Sequence, residues 1–389
     1  MLLRKLSILT LVLSVAVLSS CTETQKKDSP KKCPKQSLKP SIEKSYFGTT
    51  KDGQKVYEYM LDNGKGMDAG IITYGGVMTY LNVPDKNGKS DDILLGFDNL
   101  KDFEEKSDYF NALIGRYGNR IAKGKFELNG KTYTLATNNG ENHLHGGDKG
   151  FDKRVWSATH SVTEDAANLT LTYLSKDGEE GYPGSLRCVV TYSITADNEL
   201  VIDYKAETDK ATPVNLTQHN YYNLDGQGSG KILDHKLMIN ASEITPVDEG
   251  LIPTGEIVDV YGPFDFTEPK KIGKHINSAD IQMKYGKGYD HNFVLDKGKG
   301  MGLAAKVYEP DSGRIMEVWT EEPGLQFYSG NFLDGTIVGK EGKRYVQRCA
   351  FCLETQHFPD SPNKPQFPST ILEPGEVYNT KTIYKFKTK

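Results

Sequence analysis

The sequence lacks a long hydrophobic run. Its N-terminal apolar stretch, Leu6 to Leu18, is broken by Ser7, Thr10 and Ser14 and is too short for an ordinary membrane span of ~20 residues. With 37% hydrophobic residues and a mean hydropathy of −0.55, a protein of several membrane-spanning helices is excluded. The sequence also lacks a surplus of positive charge. Its 48 Lys+Arg stand against 52 Asp+Glu, a net −4, so the basic stripe of a nucleic-acid binder is missing. Cysteine is scarce, five in 389 residues. Cys349 and Cys352 form a C-x-x-C, but no second one completes a metal site. Arg348–Leu353 reads as a strand that sends the two thiols to opposite faces, which argues against a redox or zinc role. There is no phosphate loop, no G-x-S-x-G and no H-E-x-x-H.

Glycine is plentiful, 39 residues, and the 22 Tyr outnumber Phe and Trp together. That mix favours strands and turns over helices. At the N-terminus, Arg4 and Lys5 precede the apolar stretch, and Leu18-Ser19-Ser20-Cys21 follows. A charged region, a short apolar region and small residues read as a secretory signal. The last four residues are similar to a bacterial lipobox, which implies lipidation of Cys21. Residues 1–20 are then a signal peptide. Residues 21–40, with six Lys, three Pro and no aromatic residue, form a flexible tether. The expected location is the cell envelope, periplasm-facing, with the lipid anchor the only membrane contact.

A length of 389 residues suggests two or three domains, yet no linker divides residues 41–389. Leu186, Cys188, Val190, Tyr192 and Ile194 alternate with more polar positions, as do Leu200, Ile202, Tyr204 and Ala206, and Asp197-Asn198 lies between the runs. Period 2 on both sides of a turn predicts a hairpin. Leu169, Leu171 and Tyr173 form a third run. Phe126 and Leu128 lead through Asn129-Gly130 to Tyr133 and Leu135, a strong short hairpin signal. Ile315, Glu317 and Trp319 alternate with Met316 and Val318. Helices are expected only at Asn99 to Asp108 and around Ile272 to Asn277. The reading is all-β: one large antiparallel β-sandwich domain over residues 41–389, with few short helices.

Chemistry must come from scattered His and carboxylates. Four islands carry them: Gly115-Arg116-Tyr117-Gly118-Asn119-Arg120-Ile121; Asn142-His143-Leu144-His145-Gly146-Gly147; Asn215 to Leu224 with Gln218-His219-Asn220; and Leu353-Glu354-Thr355-Gln356-His357-Phe358-Pro359-Asp360. Tyr289-Asp290-His291-Asn292-Phe293 is a smaller fifth. In this order, with 25 residues from Arg120 to His145, the chain resembles the aldose 1-epimerases, or galactose mutarotases. Asp177 to Gly184, Ile252 to Glu256, Pro263 to Phe266 and Glu322 to Tyr328 extend the resemblance over residues 45–387.

The resemblance implies a mutarotase supersandwich and interconversion of the anomers of free hexoses such as galactose and glucose. It implies Glu354 as base and His219 as acid. His145, Asn119, Arg120 and Asp290 are implied as sugar binders, and no cofactor or metal is required. Mutarotation needs a base at the C1 hydroxyl and an acid at the ring oxygen, both within hydrogen-bond reach of one sugar. On a strand, Glu354 and Gln356 share a face, so Gln356 joins the substrate-binding set. His143 and His145, two apart, face one way in an extended segment and offer a less favoured metal pair. Arg116 reads as a structural ion pair, and His291 and His357 as supporting residues. Tyr182, Phe293 and Tyr328 are candidates to stack on a sugar. Competing readings are a non-catalytic sugar-binding lipoprotein and a glycoside hydrolase using Glu354 and Asp290. The partner is a small hexose, with no nucleic acid, and the protein is a monomer or a dimer. Many family members lack a signal sequence, so the N-terminus sets this chain apart.

Overall fold

Strand Leu186–Thr195 buries every second side chain, from Leu186 to Ile194. Strand Glu199–Thr208 does the same with Leu200, Ile202, Tyr204 and Ala206. They pair antiparallel, with Ile194 opposite Leu200, across a turn in which Asn198 takes φ +58°. This is the predicted hairpin. The computed structural model describes residues 39–389; the expected signal peptide, Cys21 and nearly all of the tether lie outside them. Within them the hairpin sits in a nine-stranded sheet. The C-terminal strand Tyr378–Thr388 pairs with Glu199–Thr208 on one side and Arg314–Thr320 on the other. Met316 and Val318 supply the core face of Arg314–Thr320.

A five-stranded meander, Ser41–Thr49 through Ser90–Asp92, forms a second sheet. A third runs Val258–Asp259, Glu243–Thr245, Asp290–Val294, Gly324–Tyr328, Cys352–Gln356. One apolar cluster joins all three: Leu61, Ile71 and Leu81 of the meander, Leu171, Val190 and Ile202 of the large sheet, and Phe293, Leu325 and Leu353 of the third. Pairing within these sheets is antiparallel throughout, so the fold is the all-β sandwich expected. The described residues 39–389 pack as one compact unit.

Lys125–Leu128 and Lys131–Thr134 pair across Asn129-Gly130, both at positive φ, as that dipeptide demands. The first expected helix is Leu100–Lys106, capped by the Asn99 side chain on the Asp102 amide. The second expectation needs correction. Ile272–Lys274 is a single 3₁₀ turn, and the other α-helix among the described residues is Ile281–Tyr285, capped by Asp280. A five-residue helix presents too short a stretch to show a 3.6-residue period. The C-x-x-C strand also begins later than expected. Arg348 sits in a turn at φ +65°, and the strand starts at Cys352. Cys349 and Cys352 are free and packed in one apolar cluster.

Candidate active site

Three short segments and the third sheet converge on one cavity. Arg120–Ile121 pairs with His143–Leu144. Beyond the ladder, Asn119 and His145 exchange bonds: the His145 amide donates to the Asn119 carbonyl at 3.1 Å, and the Asn119 amide donates to His145 Nδ1 at 3.1 Å. Both residues lie in the left-handed region, at φ +62° and +49°. That twist separates the two histidines expected to face one way. His143 turns inward, with Nδ1 on the Ala136 carbonyl (2.8 Å) and Nε2 on the Tyr182 hydroxyl (2.6 Å), while His145 turns to the cavity. Gly146 and Gly147 follow at φ +86° and +100°. A Cβ on Gly146 would run into the Gly115 carbonyl, so this close passage of two backbone segments requires glycine.

His219 follows strand Thr217–Gln218, which pairs with Leu113–Ile114. Its amide donates to Ala112 and its carbonyl accepts from Asn111, each at 3.0 Å. Gln218 ties this segment to the large sheet by accepting from the Tyr192 hydroxyl at 2.8 Å. Tyr221 stacks on the His219 ring, centroids 5.0 Å apart at 28°. Glu354 and Asp290 come from the third sheet, on strands either side of Gly324–Tyr328.

The cavity has a volume of about 240 Å³ and is lined by Asn119, Arg120, His145, His219, Asp290 and Glu354, with Asp108, Tyr109, Asn139, Leu144, Tyr221, Tyr328, Phe332 and Leu333. It is monosaccharide-sized, below the ~300–1,000 Å³ of drug-sized pockets. Of the residues expected to do acid–base chemistry or hydrogen-bond the sugar, Gln356 alone stays out. It is buried behind the floor, where its amide donates to Asn292 (3.2 Å) and Gln326 (3.4 Å). Gln326, opposite Glu354 in register, donates to Asp290 Oδ1 at 2.7 Å. Gln356 therefore supports the site at one remove.

Glu354 Oε1 lies 3.6 Å from His219 Nε2. Glu354 Oε2 is buried and has no hydrogen-bond partner among the described residues. Burial and the neighbouring Asp290 push the Glu354 carboxyl well above the usual range, with Arg120 opposing. Burial raises Asp290 too, again against Arg120. Burial pulls His219 down to about 4. His145 falls well below its ordinary value through burial and the nearby His219 and Arg120. The guanidinium of Arg120 is held by Nε on Asn139 Oδ1 at 3.1 Å.

His145, His219 and Glu354 offer ligand-type atoms within 4.8 Å of one another. A metal-bound histidine needs a bare ligating nitrogen while its other N–H donates outward. His145 has the reverse arrangement. Its Nδ1 accepts an N–H, so the neutral ring carries its proton on Nε2, toward the cavity. The site is built to donate and accept hydrogen bonds, and the His143–His145 metal pair fails because His143 is engaged at both nitrogens.

Arg116 is structural, but not as an ion pair. Its guanidinium donates to the carbonyls of Pro183 and Gly184 and to Ser175 and Thr212 hydroxyls at 2.7–3.1 Å, with no carboxylate partner among the described residues. Tyr182 and Phe293 are core; Tyr328 alone of the three aromatics lines the cavity. Sequence reasoning missed Tyr109, whose ring lies 4.6 Å from that of His145 and 6.1 Å from that of His219. Its signal was position alone, just before the first island. It also passed over Gln326, although period 2 on a strand paired to Glu354 could have found it.

A small cavity that sets a buried carboxyl beside a buried imidazole can move protons on a hydroxylated ligand. Residues 57–385 match the family model described as aldose 1-epimerase. The chain is 46% identical over 347 residues to the galactose mutarotase of Sus scrofa, covering 89% of this chain and 98% of that one. It is 40% identical over 339 residues to the aldose 1-epimerase of Escherichia coli K12, covering 86% and 96%. The structure of galactose 1-epimerase from Lactobacillus acidophilus NCFM superposes with TM-score 0.79 at 28% identity, covering 90% of this chain and 99% of that one. The chain belongs to the aldose 1-epimerase family, enzymes that epimerise carbohydrates.

Proposed function

We propose that Glu354 and His219 are the proton-transferring pair with which this enzyme interconverts the α and β anomers of free aldohexoses, galactose and glucose among them. The observation that carries this is the buried Glu354 Oε2, without a hydrogen-bond partner among the described residues, in a cavity that His219 also lines. An unpaired polar atom at that depth costs about 1–3 kcal/mol, which a ligand hydroxyl would recover.

Burial disfavours a charge on either group, so the pair holds one proton between them, with the neutral carboxyl and neutral imidazole favoured. Moving that proton to His219 creates a carboxylate base and an imidazolium acid. The carboxylate takes the C1 hydroxyl proton while the imidazolium protonates the ring oxygen, and the C1–O5 bond breaks. The open-chain aldehyde is then held beside the neutral pair. Rotation about C1–C2 and the reverse transfers close the ring with either configuration. The protonation state that burial favours is thus the one that accompanies the ring-opened sugar. His145 Nε2–H, Arg120 and Asn119 donate to sugar oxygens, and Asp290 accepts from a hydroxyl.

Polarimetry of freshly dissolved α-D-galactose tests this. Full-length enzyme should speed the drift to equilibrium rotation, and an unchanged drift would sink the reading. The hydrolase alternative would instead release reducing sugar from an aryl galactoside. For location, the Arg4-Lys5 charge, the apolar run and Leu18-Ser19-Ser20-Cys21 support an envelope enzyme anchored through lipidated Cys21. Cys21→Ala should move the protein from the membrane to the soluble fraction; unchanged fractionation would remove the anchor.

A further inference from the structure

His219 is clamped between two side chains of one strand. Cys352 and Glu354 are two residues apart on strand Cys352–Gln356, so both project from the same face. The imidazole spans them: Nδ1 lies 3.6 Å from Cys352 Sγ and Nε2 lies 3.6 Å from Glu354 Oε1. The Tyr221 ring lies along one face of the imidazole, which fixes its plane. We propose that Cys352 is a positioning residue that keeps a proton on His219 Nδ1, by accepting from it, and so leaves Nε2 as the nitrogen that exchanges protons during turnover.

The alternatives are chemically distinct. If Nδ1 were bare, neutral His219 would carry its proton on Nε2 and could not receive another from the Glu354 carboxyl there. The pair would be jammed in a non-exchanging arrangement. With Nδ1–H on sulfur, Nε2 is free to take the carboxyl proton and return it to a sugar oxygen. The sulfur suits this as a neutral, weak acceptor. Burial and the nearby Glu354 hold the thiol protonated far above its usual range, so it orients the ring without the stabilisation a carboxylate gives an imidazolium. An imidazolium so held stays a strong acid. His145 is the contrast, since the Asn119 amide bonded to its Nδ1 fixes the opposite tautomer and makes it a fixed donor. This inference rests on His219 being the proton carrier.

Two readouts separate the failures. The first is ¹⁵N NMR of histidine-labelled full-length protein at pH 7 without sugar. Wild type should show His219 protonated at Nδ1 and bare at Nε2. Cys352→Val, which keeps the volume, and Cys352→Ala should show a mixture of tautomers, while Cys352→Ser keeps Nδ1–H. An Nε2–H tautomer in wild type, or an unchanged Nδ1–H tautomer in Cys352→Val, overturns the proposal whether or not the enzyme turns over galactose. The second is polarimetric kinetics. Cys352→Val should lower kcat about tenfold with KM within about twofold, and Cys352→Ser should recover to within about threefold of wild type. Equal kcat in wild type and Cys352→Val overturns it, as does a loss confined to KM.

Discussion

Two histidine–carboxylate pairs share one short stretch of chain, which supplies Glu354 to one and His357 to the other, and they behave in opposite ways. In the first, His219 and Glu354 approach to 3.6 Å, one carboxyl oxygen has no partner among the described residues, and burial drives both groups toward neutrality. In the second, His357 Nδ1 and Glu322 Oε2 lie 2.6 Å apart. There the other carboxyl oxygen accepts from the Tyr378 hydroxyl at 3.4 Å. Burial pulls His357 down, but the carboxylate contact outweighs it and raises the ring above its ordinary value. The residue types are identical; what differs is satisfaction. A completed pair favours the protonated imidazole and holds structure. An incomplete pair facing a cavity keeps a movable proton and an open hydrogen-bonding position, which is what chemistry on a bound hydroxyl needs.

The widest separation between the pairs should come from neutralising each carboxyl. Glu354→Gln keeps the shape and removes the proposed proton carrier, so kcat for α-D-galactose should fall about 10³-fold, within the usual 10²–10⁴ for general acid–base groups. Thermal melting should hold or rise, because an unpartnered buried carboxyl is replaced by an amide. Glu322→Gln should do the reverse. Loss of a charge-assisted bond of this kind costs about 1.5–3 kcal/mol, read as a lower urea midpoint, with kcat within about twofold. If Glu322→Gln abolished turnover while the fold stayed intact, the distinction drawn between the pairs would fail.

A smaller effect should separate the cavity wall from the layer behind it. Gln326→Ala removes the donor on Asp290 Oδ1 and leaves that carboxylate free to turn. KM for galactose should rise about tenfold, the scale of one charge-assisted bond, with a lesser change in kcat. Steady-state polarimetry separates the two, and a kcat loss at constant KM would move Asp290 from binding to chemistry.

These contrasts were unevenly legible in the sequence. Leu186–Thr195 and Glu199–Thr208 are half-buried, so alternation wrote their core face directly. Gly324–Tyr328 and Cys352–Gln356 are buried on both faces, and polar residues such as Gln326 and Gln356 stand inside the protein; period 2 then says which residues share a face but not which face meets the cavity. That is why Gln356 was placed in the site and Gln326 left out. His143 and His145 were misjudged as a pair because the left-handed φ at His145 is invisible in a residue list. The islands around Asn119-Arg120, His145, His219, Asp290 and Glu354 could be joined only by resemblance, since about 235 residues separate the first from the last and only the folded sheets bring them together.

The smallest effect expected is a pH dependence of stability whose sign differs between the two pairs. His357 in the folded protein has its pKa raised above the usual ~6.5 of the unfolded chain. The folded state then binds more protons than the unfolded state in the window above that value, and stability falls as pH rises there. The contribution is fully present below about pH 6.5 and is lost as pH climbs through the folded value. Urea midpoints of wild type should therefore drift downward from pH 6 to pH 9, and His357→Gln should flatten that part of the slope while remaining active. His219 predicts the opposite sign. With its folded value near 4, it takes up its proton on unfolding, so its contribution favours the folded state above about pH 6.5 and is lost as pH falls toward 4. Midpoints for His219→Asn should fall less steeply than wild type between pH 6.5 and 4, and should keep the alkaline drift that His357 causes. A His357→Gln slope identical to wild type between pH 6 and 9 would show that the closer pair does not favour the protonated imidazole, and would leave hydrogen-bond completeness without its predicted consequence.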